Sequence, residues 1–425
     1  MLDVKVLRET PEKVKAGLKA RGGPWADALE DILKLDARWR AATSEVNELR
    51  QTRNRASEEI GKIKDKVMRE EKVLQVRGLK DRLQTVEAEL KELDARRDKL
   101  LLEIPNLPDD SVPRGASPTD NVEKRRHGTP PVFAFKPKEH GALGEALGIL
   151  DFARGVKLAG EGFYVMVGAG ARLERALIQF FLDEATAKGY LEVVPPFLVT
   201  EETATGTGHL PKNADDMYLI ERDRMALIPT AEVPLTSFYR GDVILTAQLP
   251  IKLCAYTPCF RREAGRNTDT KGLVRVHQFN KVEMLKLSTP EAAWGELESL
   301  TRDAEELLKK LGLAYRVIEL CTGDIGFSAA KTYDVEVWLP SVNEYKEISS
   351  CSCFTDFQAR RAGLKYRDKD GQVGRWLYTL NGSGLAVGRT LVAILENFQR
   401  EDGSVAIPEV LRKYMGGMAE IRRAA

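Results

Sequence analysis

Apolar residues at heptad spacing fill the N-terminal quarter of this 425-residue chain, and they restrict its fold more than any other feature. Between Ile32 and Val67 the apolar residues recur at alternating steps of three and four, interrupted only by Arg53. A second run with the same spacing covers residues 76–104, after a charged break at 69–72. Heptads sustained over two adjacent segments are typical of coiled-coil helices, and the short connection favours an antiparallel hairpin. At ~1.5 Å per residue the first helix would extend about 54 Å, so we expect the hairpin to project into solvent.

The charge of this hairpin does not identify its partner. Residues 25–104 contain 18 basic and 18 acidic side chains, so the region is not a polycationic tail. A charged coiled coil is more often a dimerisation or spacer element than an arm that binds nucleic acid. The residues alone leave all three roles open.

The composition of the whole chain is that of an ordinary globular protein. Lys and Arg number 65 against 64 Asp and Glu, so any nucleic-acid binding must depend on local patches. The five cysteines form no CxxC pair and there are only four histidines, which argues for reduced thiols and against a zinc cluster. No stretch approaches the about 18 uninterrupted apolar residues of a membrane span, and the N-terminus lacks the apolar run of a signal peptide. We therefore expect a cytoplasmic protein that does not associate with membranes.

The segment 105–131 is rich in Pro, Asp, Gly and Ser and has no periodicity, which predicts a linker between two domains. From 132 to 425 strand and helix patterns intermix. Within this part, an amphipathic helix over 172–188 is followed by a strand over 190–196 that ends in two prolines.

Two strand patterns, 251–263 and 274–287, flank a charged loop and predict an antiparallel hairpin. Because successive side chains of a strand alternate faces, Arg261 and Glu263 share a face of the first strand. A common face of the second strand holds an aromatic, a basic and an acidic residue: Phe279, Lys281 and Glu283. If both faces point the same way, a guanidinium, carboxylates and a ring converge, a combination that can bind phosphate and stack on a base. A surface ladder of ion pairs beside a core phenylalanine is the alternative that the residues leave open.

Two further segments contain polar residues that are only a few positions apart. Thr230 and Glu232 place a hydroxyl and a carboxylate two residues apart at the expected end of a strand. A strand pattern over 345–353 puts Glu347 and Ser349 on one face and Ser350 on the other, unless the strand bends.

A glycine-rich stretch at 381–389 leads into a helical run. Its spacing is one residue short of a Walker A motif and it has Arg in place of Lys, which argues against a P-loop. Arg389 in the first helical turn would still form an anion site, because backbone amides and a guanidinium converge there.

Three of these segments together resemble the signature motifs of class II aminoacyl-tRNA synthetases, and in particular the bacterial-type seryl-tRNA synthetases. They are Thr230-Ala231-Glu232, Phe260–Glu263 with Val274–Phe279, and Asn381–Arg389. The segment 172–196 resembles motif 1, the dimer interface of that family. The resemblance covers essentially the whole chain. It implies an α+β fold, with an N-terminal antiparallel coiled-coil helical hairpin and an antiparallel β-sheet catalytic domain flanked by helices.

The resemblance also implies an order of domains and a set of partners. Residues 1–104 would form a tRNA-binding domain with the hairpin at about 27–104, and 132–425 would form the catalytic domain. The protein would activate L-serine with ATP and transfer it to serine tRNA, whose long variable arm the hairpin would recognise by shape and phosphates. A homodimer would form through 172–196. Whether selenocysteine tRNA is also charged stays open.

Individual roles follow from the same resemblance. Arg261 would bind the α-phosphate and Arg389 the γ-phosphate of ATP, and these two with Glu263 are the expected catalytic residues. Phe279 would stack on adenine, while Glu263 and the backbone of Val276 contact the base. The other expected ATP-binding residues are Arg262, Glu347, Ile348, Ser349 and Ser350. The expected serine-binding residues are Thr230, Ala231, Glu232, Arg261, Glu283, Asn381 and Ser383. The expected ligands of Mg²⁺ are Glu347 and Ser350, and no zinc is expected.

Two alternatives belong to other functional classes. A relative that activates a small amino acid and loads a carrier protein would lack the long hairpin, which this chain has. A non-catalytic RNA-binding or structural coiled-coil paralogue would have lost at least one of four residues that are all present here: Arg261, Glu263, Glu347 and Arg389. The chain departs from the family pattern at Lys271 and at Cys353-Phe354, which carry no expected role.

Overall fold

The computed structural model describes residues 1–264, 272–369 and 371–423, and it divides into two compact units. The smaller unit is Leu2–Pro105, and the larger comprises Asn106–Ala425 together with Met1. Lys271 and most of the charged loop predicted between the two strands lie outside the described residues. None of the helices in the described ranges is both long enough and apolar enough to cross a membrane.

The smaller unit is helical throughout. Its helices are α1 (Val4–Glu9), α2 (Pro11–Ala20), α3 (Trp25–Ile60) and α4 (Lys66–Glu103). Helices α3 and α4 run antiparallel, as the ion pairs Arg38–Glu89 at 3.1 Å and Lys72–Glu59 at 2.7 Å require. The apolar seam between them is buried at Leu35, Ala42, Val46, Leu83, Val86 and Leu93. The predicted antiparallel hairpin is therefore confirmed, although its seam is not buried over its whole length.

Near the turn of this hairpin the heptad residues are exposed. Ile63 lies in the connection rather than in a helix, and Val67 is 66% exposed. Met68 and Leu74 are also exposed in the first turns of α4. The continuous seam predicted as far as Val67 is wrong at this end, because α3 ends at Ile60 and the chain must turn before α4 begins.

A buried carboxylate organises the opposite end of the hairpin. Asp36 on α3 is only 1% exposed, and it accepts hydrogen bonds from Arg8 and Arg40, each at 3.1 Å. Arg97 on α4 lies 3.7 Å from the same carboxylate and 4.3 Å from the centre of the Trp39 ring. A basic residue at a seam position is accommodated here because an anion and an aromatic face receive its guanidinium.

The larger unit combines helices with several sheets. Its helices are α5 (His140–Ala146), α6 (Phe152–Ala159), α7 (Ala169–Ala187), α8 (Glu201–Gly206), α9 (Glu232–Thr236), α10 (Ala293–Leu311), α11 (Phe357–Ala362), α12 (Val387–Asn397) and α13 (Glu409–Arg412). Its strands are β1 (Val122–His127), β2 (Leu150–Asp151), β3 (Val165–Met166), β4 (Leu191–Glu192), β5 (Leu198–Thr200), β6 (Leu219–Ile220), β7 (Met225–Leu227), β8 (Val243–Leu245), β9 (Ile251–Phe260), β10 (Gln278–Ser288), β11 (Tyr315–Glu319), β12 (Lys331–Leu339), β13 (Glu344–Cys353), β14 (Lys365–Arg367), β15 (Arg375–Trp376), β16 (Tyr378–Ala386), β17 (Val405–Ala406) and β18 (Glu420–Ile421).

An eight-stranded sheet in the order β1-β11-β12-β13-β16-β10-β9-β4 carries the core of this unit. All neighbouring strands are antiparallel except β4 and β9. Helices α7, α10 and α12 pack against the sheet. Their buried apolar stripes include Leu173, Leu177, Phe181, Leu297, Leu300, Leu391 and Ile394. The expected α+β class, with an antiparallel sheet flanked by helices, is confirmed.

The segment predicted as a linker, 105–131, is instead largely built into the larger unit. Asn106 is buried, and its side-chain amide donates to the carbonyl oxygens of Phe354 at 2.8 Å and Ser328 at 3.0 Å. Residues 122–127 form strand β1 at the edge of the large sheet. Arg125 in this strand pairs with Glu305 at 2.6 Å. The polar, proline-rich composition of the segment does not predict this strand, because an edge strand needs no apolar alternation when its side chains form ion pairs.

The predicted boundaries differ from the observed ones in two informative places. The strand expected over 190–196 is only Leu191–Glu192, since the two prolines that follow cannot donate to a ladder. The hairpin strands expected over 251–263 and 274–287 are Ile251–Phe260 and Gln278–Ser288. Arg261 and Glu263 therefore follow the strand rather than belong to it, and Glu263 adopts a left-handed backbone with φ of 50°.

Candidate active site

A cavity of about 470 Å³ lies over the central strands of the large sheet. Strands β10, β12, β13 and β16 supply its floor, and α12 begins at its rim. Residues 207–213, Thr230 and the start of α9 close one end. The cavity is therefore bounded by segments far apart in sequence that the antiparallel sheet brings together.

One end of the cavity is a buried acidic pocket. Glu283 on β10 is 1% exposed, and Thr230 donates a hydrogen bond to its Oε2 atom at 3.0 Å. The ammonium group of Lys281, two residues earlier on the same strand, forms an ion pair with the same oxygen. Burial raises the pKa of Glu283, while Lys281 and Thr230 act in the opposite direction. Asn381 and Ser383 of the neighbouring strand β16 complete the lining.

A second carboxylate of this pocket belongs to Glu232, the first residue of α9. Its Oε1 atom accepts a hydrogen bond from the Nε2 atom of Gln358 at 2.7 Å. Burial raises the pKa of Glu232, and the hydrogen bond from Gln358 and the charge of Lys281 partly offset this rise. The pocket thus holds two carboxylates and one ammonium group away from bulk water.

The other end of the cavity presents guanidinium groups and an aromatic ring. The Arg261 guanidinium lies 5.1 Å from the centre of the Phe279 ring, and its Nε atom donates to the carbonyl of Pro229 at 3.3 Å. Glu263 forms an ion pair with Arg275. A ring beside fixed cations can hold a planar base next to an anionic chain.

Arg389 and Glu347 face each other across the same end. The Nη1 atom of Arg389 donates to the backbone carbonyl of Glu347 at 2.7 Å and lies 3.2 Å from its carboxylate. Partial loss of solvation by itself would raise the pKa of Glu347, but the Arg389 guanidinium, together with the charges of Arg261 and Lys281, outweighs this effect and the pKa is lowered. Glu347 is therefore ionised at neutral pH.

A bulge in β13 explains how Glu347 and Ser350 come to share one face. Ser349 pairs with Val335 and Glu347 pairs with Glu336, so that Ile348 has no opposite residue on β12. An extra residue in one strand reverses the alternation of faces on either side of it. The prediction that Ser349 shares the face of Glu347 is therefore wrong in the bulged strand. Ser349 is buried and donates to the carbonyl of Ser383 at 2.7 Å.

Oxygen atoms cluster next to this bulge. Asp334 on β12 lies opposite Ser350, and one of its carboxylate oxygens is buried without a hydrogen-bond partner in the part of the chain that the structure describes. Burial, together with the negative charge of Glu347, raises the pKa of Asp334 well above its usual value. The described residues contain no group of three or more His, Cys, Asp or Glu side chains placed to hold a metal ion. Two oxygen ligands from Glu347 and Ser350 still fit Mg²⁺, which takes most of its ligands from water and phosphate.

Two cavity residues were missed or given no role by the sequence analysis. Lys281 was placed on the correct face but given no function. His209 was not considered, and nothing in its local sequence sets it apart. Its Nδ1 atom lies 2.8 Å from the Thr207 hydroxyl, and burial together with Arg261 and Lys281 lowers its pKa to about 3. At neutral pH His209 is therefore a neutral imidazole in the cavity wall.

His140, a buried histidine outside the cavity, positions the segment around Leu273 that leads into the cavity. The backbone N–H of Leu273, a cavity residue, donates to the Nε2 atom of His140 at 3.1 Å. The Nδ1–H of His140 must then donate to Glu396 on α12, which lies 2.8 Å away. Burial alone would raise the pKa of Glu396, but the hydrogen bond from His140 lowers it. The segment that leads into β10 and the helix that carries Arg389 both bond to one imidazole.

Most of the sequence-predicted residues meet in this cavity. Those that line it are Thr230, Glu232, Arg261, Glu263, Val276, Phe279, Glu283, Glu347, Ile348, Ser350, Asn381, Ser383 and Arg389. Three predicted residues do not line it. Arg262 is exposed and donates its backbone N–H to Asp216 at 2.8 Å, while Ala231 and Ser349 are buried beneath the surface.

Comparisons with known proteins agree over the whole chain. Residues 1–108 match the model of the seryl-tRNA synthetase N-terminal domain, and residues 218–398 match the tRNA synthetase class II core domain (G, H, P, S and T). The serine–tRNA ligase of Geobacter sulfurreducens is 53% identical over 423 residues, which is 99% of this chain and 100% of the relative. The crystal structure of seryl-tRNA synthetase from Pyrococcus horikoshii complexed with ATP gives a TM-score of 0.95 at 39% identity, with 100% of both chains covered. The cytoplasmic enzyme of Naegleria fowleri in complex with AMP gives 0.89 at 30% identity, with 100% of this chain and 99% of that chain covered.

The lowered pKa of His209 predicts a specific loss of stability in acid. In the unfolded chain this imidazole takes up a proton near pH 6.5, whereas in the folded protein it stays neutral down to about pH 3. The unfolded state therefore binds more protons in this window, and stability falls as the pH drops below 6.5. At pH 5 the cost is about 2 kcal/mol. His209→Gln should remove this cost. The melting temperature of the variant, measured relative to that of the parent, should therefore be higher at pH 5 than at pH 7. The same difference in melting temperature between variant and parent at both pH values would contradict this account.

The contact between Gly272 and His140 predicts the effect of a single methyl group. Gly272 has φ of +85°, and a Cβ atom there would lie 2.1 Å from the His140 Nε2 atom. Gly272→Ala should displace the imidazole and break its hydrogen bond to Leu273, destabilising the protein by about 1–3 kcal/mol beyond backbone strain. Gly148→Ala is the matched control, because Gly148 has φ of +70° with nothing within 4 Å of its Cβ position. Equal melting temperatures for the two variants would show that the imidazole contact contributes nothing.

Proposed function

The chain belongs to the seryl-tRNA synthetase family and is an ATP-dependent serine–tRNA ligase, and we propose that the cavity on its large sheet is where serine is activated. The single observation that carries this assignment is the juxtaposition of two different pockets in one cavity. A buried acidic pocket with hydroxyl groups lies beside a ring flanked by guanidinium groups. The first suits a small ammonium-bearing substrate and the second suits a nucleotide.

The acidic pocket would hold L-serine. The carboxylates of Glu232 and Glu283 would take its ammonium and hydroxyl groups, and Thr230, Asn381 and Ser383 would supply further hydrogen bonds. The burial of Glu283 and its bond to Thr230 support this role, because groups fixed away from water discriminate strongly. A site that satisfies a substrate hydroxyl rejects alanine, which would leave buried polar groups unpaired. Threonine must be excluded by the wall of the pocket, because it is larger by one methyl group.

The opposite pocket would hold ATP. Phe279 would stack on the adenine with Arg389 on the other side of the ring, and Glu263 and the backbone of Val276 would contact its edge. Arg261 would bind the α-phosphate and Arg389 the γ-phosphate. The 5.1 Å separation between Arg261 and the Phe279 ring supports a nucleotide that is stacked and neutralised by neighbouring groups. Arg262 is exposed outside the lining, and we assign it no contact with the nucleotide.

Catalysis would consist of positioning and electrostatic stabilisation. A carboxylate oxygen of serine attacks the α-phosphorus, the bond to the β-phosphate breaks, and pyrophosphate leaves. Arg261 stabilises the charge that develops on the α-phosphate, so that no enzyme nucleophile is needed. A terminal ribose hydroxyl of the tRNA then attacks the activated carbonyl group, and AMP leaves. Glu347 and Ser350 would hold Mg²⁺, which would offset the charge of the ATP phosphates.

The helical hairpin would bind serine tRNA. Exposed basic side chains on α4, including Arg69, Arg77 and Lys80, support contacts with phosphates rather than with base edges. Because ATP and tRNA are available there, we place the protein in the cytoplasm. All five of its cysteines are buried free thiols, which is compatible with a reducing compartment.

A homodimer would form along strand β4. This strand is the last of the large sheet, so one of its edges pairs with no strand among the described residues. Two apolar side chains beside it are exposed, Leu191 by 59% and Val194 by 82%. Exposed apolar groups at a sheet edge support an interface between protein chains.

Amino-acid-dependent exchange of pyrophosphate into ATP, without tRNA, tests the assigned cavity. We expect exchange with serine and little with threonine, alanine or glycine. Arg261→Ala should lower the serine-dependent rate by about 100-fold or more, because a fixed cation at the α-phosphate is lost. Arg262→Ala is the matched control and should exchange at the parental rate, since its side chain is exposed outside the cavity.

The outcomes of this experiment are distinct. Equal losses in Arg261→Ala and Arg262→Ala would contradict the placement of ATP in this cavity. Exchange that favours glycine or alanine would instead point to a ligase that loads a carrier protein. Absence of exchange with every amino acid would favour the non-catalytic paralogue.

The dimer proposal predicts a change in mass. The double variant Leu191→Asp, Val194→Asp should convert a dimer into a monomer, because four carboxylates would be buried across a two-fold interface. Light scattering coupled to gel filtration would measure the mass. Val373→Asp is the control, since this residue is 91% exposed in a loop outside the proposed interface. A dimer that survives the double variant would place the interface elsewhere.

A further inference from the structure

Gln358 lies directly behind the proposed serine pocket. It belongs to helix α11, it is completely buried, and it is not part of the cavity lining. Its Nε2 atom donates to the Glu232 carboxylate at 2.7 Å and to the backbone carbonyl of Thr207 at 3.1 Å. Its Oε1 atom accepts a hydrogen bond from the hydroxyl of Thr379 at 2.7 Å. Every polar atom of this side chain is therefore used.

Chemistry fixes the orientation of the Gln358 amide. The carbonyl of Thr207 can only accept a hydrogen bond, so it must face the NH₂ group. The Thr379 hydroxyl then has to donate to the amide oxygen. The same NH₂ group carries a second hydrogen that points at Glu232. Three separate elements, α11, β16 and the loop at 207, thus determine which side of the amide meets the carboxylate.

We infer that Gln358 is a positioning residue of the serine site, which holds the carboxylate of Glu232 in the orientation that receives the substrate. The inference rests on the proposed function, because it assumes that Glu232 binds serine. Gln358 itself does not line the cavity, so it would act on the substrate through Glu232, and its second hydrogen bond holds the carbonyl of Thr207 in the cavity wall.

The hydrogen bond should also keep Glu232 ionised. Burial favours the protonated form of this carboxyl group, and Gln358 opposes that effect. The other charged groups near Glu232 are Lys281 and Arg261, which favour its carboxylate form, and Glu283, whose own pKa the charge of Glu232 raises. Asn381 also donates a hydrogen bond to Glu232. Without Gln358 the Oε1 atom of Glu232 would lose the donor that lies 2.7 Å away, at a buried position where a lost hydrogen bond is costly.

The test compares two variants of similar size in the full-length protein. Gln358→Leu removes the donor, and it should raise the KM for serine by about tenfold or more with the KM for ATP unchanged, because the lost bond is to a charged group. The rise should grow as the pH falls from 8 to 6, since Glu232 then protonates more readily. Gln358→Glu should show the opposite trend. At low pH its protonated carboxyl can donate to Glu232, whereas at high pH two carboxylates would repel each other.

The opposite pH trends separate positioning from general damage to the fold. A merely structural role would change the melting temperature and leave the two KM–pH profiles parallel. If Gln358→Leu does not fold, Gln358→Glu still tests the inference. A serine KM within twofold of the parent in either variant that folds, or an equal rise in the KM for ATP, would overturn the inference.

The variant Glu232→Gln distinguishes a failure of this inference from a failure of the proposed function. If Glu232→Gln raises the serine KM while the Gln358 variants do not, Glu232 binds serine and only the role of Gln358 is wrong. If Glu232→Gln leaves the serine KM unchanged, the serine pocket has been placed wrongly and the proposed function must be revised.

Discussion

The antiparallel pairing of β10 with β9 on one side and β16 on the other is the constraint on which the rest of the larger unit depends. This pairing sets Glu283 opposite Ser383 and Phe279 opposite Cys259. One strand thereby contributes the ring at one end of the cavity and the carboxylate at the other. Because β-strand side chains repeat every second residue, a shift of register by one residue would turn every one of these groups to the opposite face. The spacing between the two pockets is therefore a property of the sheet rather than of its loops.

Oppositely charged groups are paired at both ends of the cavity. Lys281 meets Glu283, and Arg389 meets Glu347 at 3.2 Å. A buried charge without a partner costs several kcal/mol, so the pairing of Lys281 with Glu283 stabilises the folded site, whereas the more exposed pair of Arg389 with Glu347 contributes little. A charged substrate can take the place of one member of such a pair. Exchange of one ionic partner for another changes the free energy less than creating a pair from solvated ions, and this suits a site that must also release its products.

The sequence predicted the features that depend on local patterns. The heptads indicated the helical hairpin, and alternation indicated the strand that carries Phe279 and Glu283 and the strand that ends just before Arg261. It could not predict the bulge at Ile348, because an extra residue in a strand is defined only by the register with its neighbour. It also could not single out Gln358 or His209. The role of Gln358 comes from Thr379 and Glu232, and the lowered pKa of His209 comes from burial together with Arg261 and Lys281. Only the fold brings these groups near. Strand β1 could not be predicted for a related reason. It is stabilised by an ion pair to Glu305 and has no apolar alternation that would indicate a strand.

The exposed seam at the turn of the hairpin has a consequence for how the smaller unit moves. The main buried cluster of α3 and α4 begins at Leu35 and Leu93 and reaches Leu49 and Leu83 toward the turn, and Ala56 is the one further α3 side chain buried beyond it in the part of the chain that the structure describes. Beyond these residues Val67 and Leu74 are exposed, so the last turns are held together mainly by helical hydrogen bonds and surface ion pairs. Local opening requires the least free energy where the fewest apolar contacts must be broken. Amide hydrogens should therefore exchange with solvent fastest at the turn and slowest beside Asp36, so that the hairpin can deform at its far end without unfolding its base.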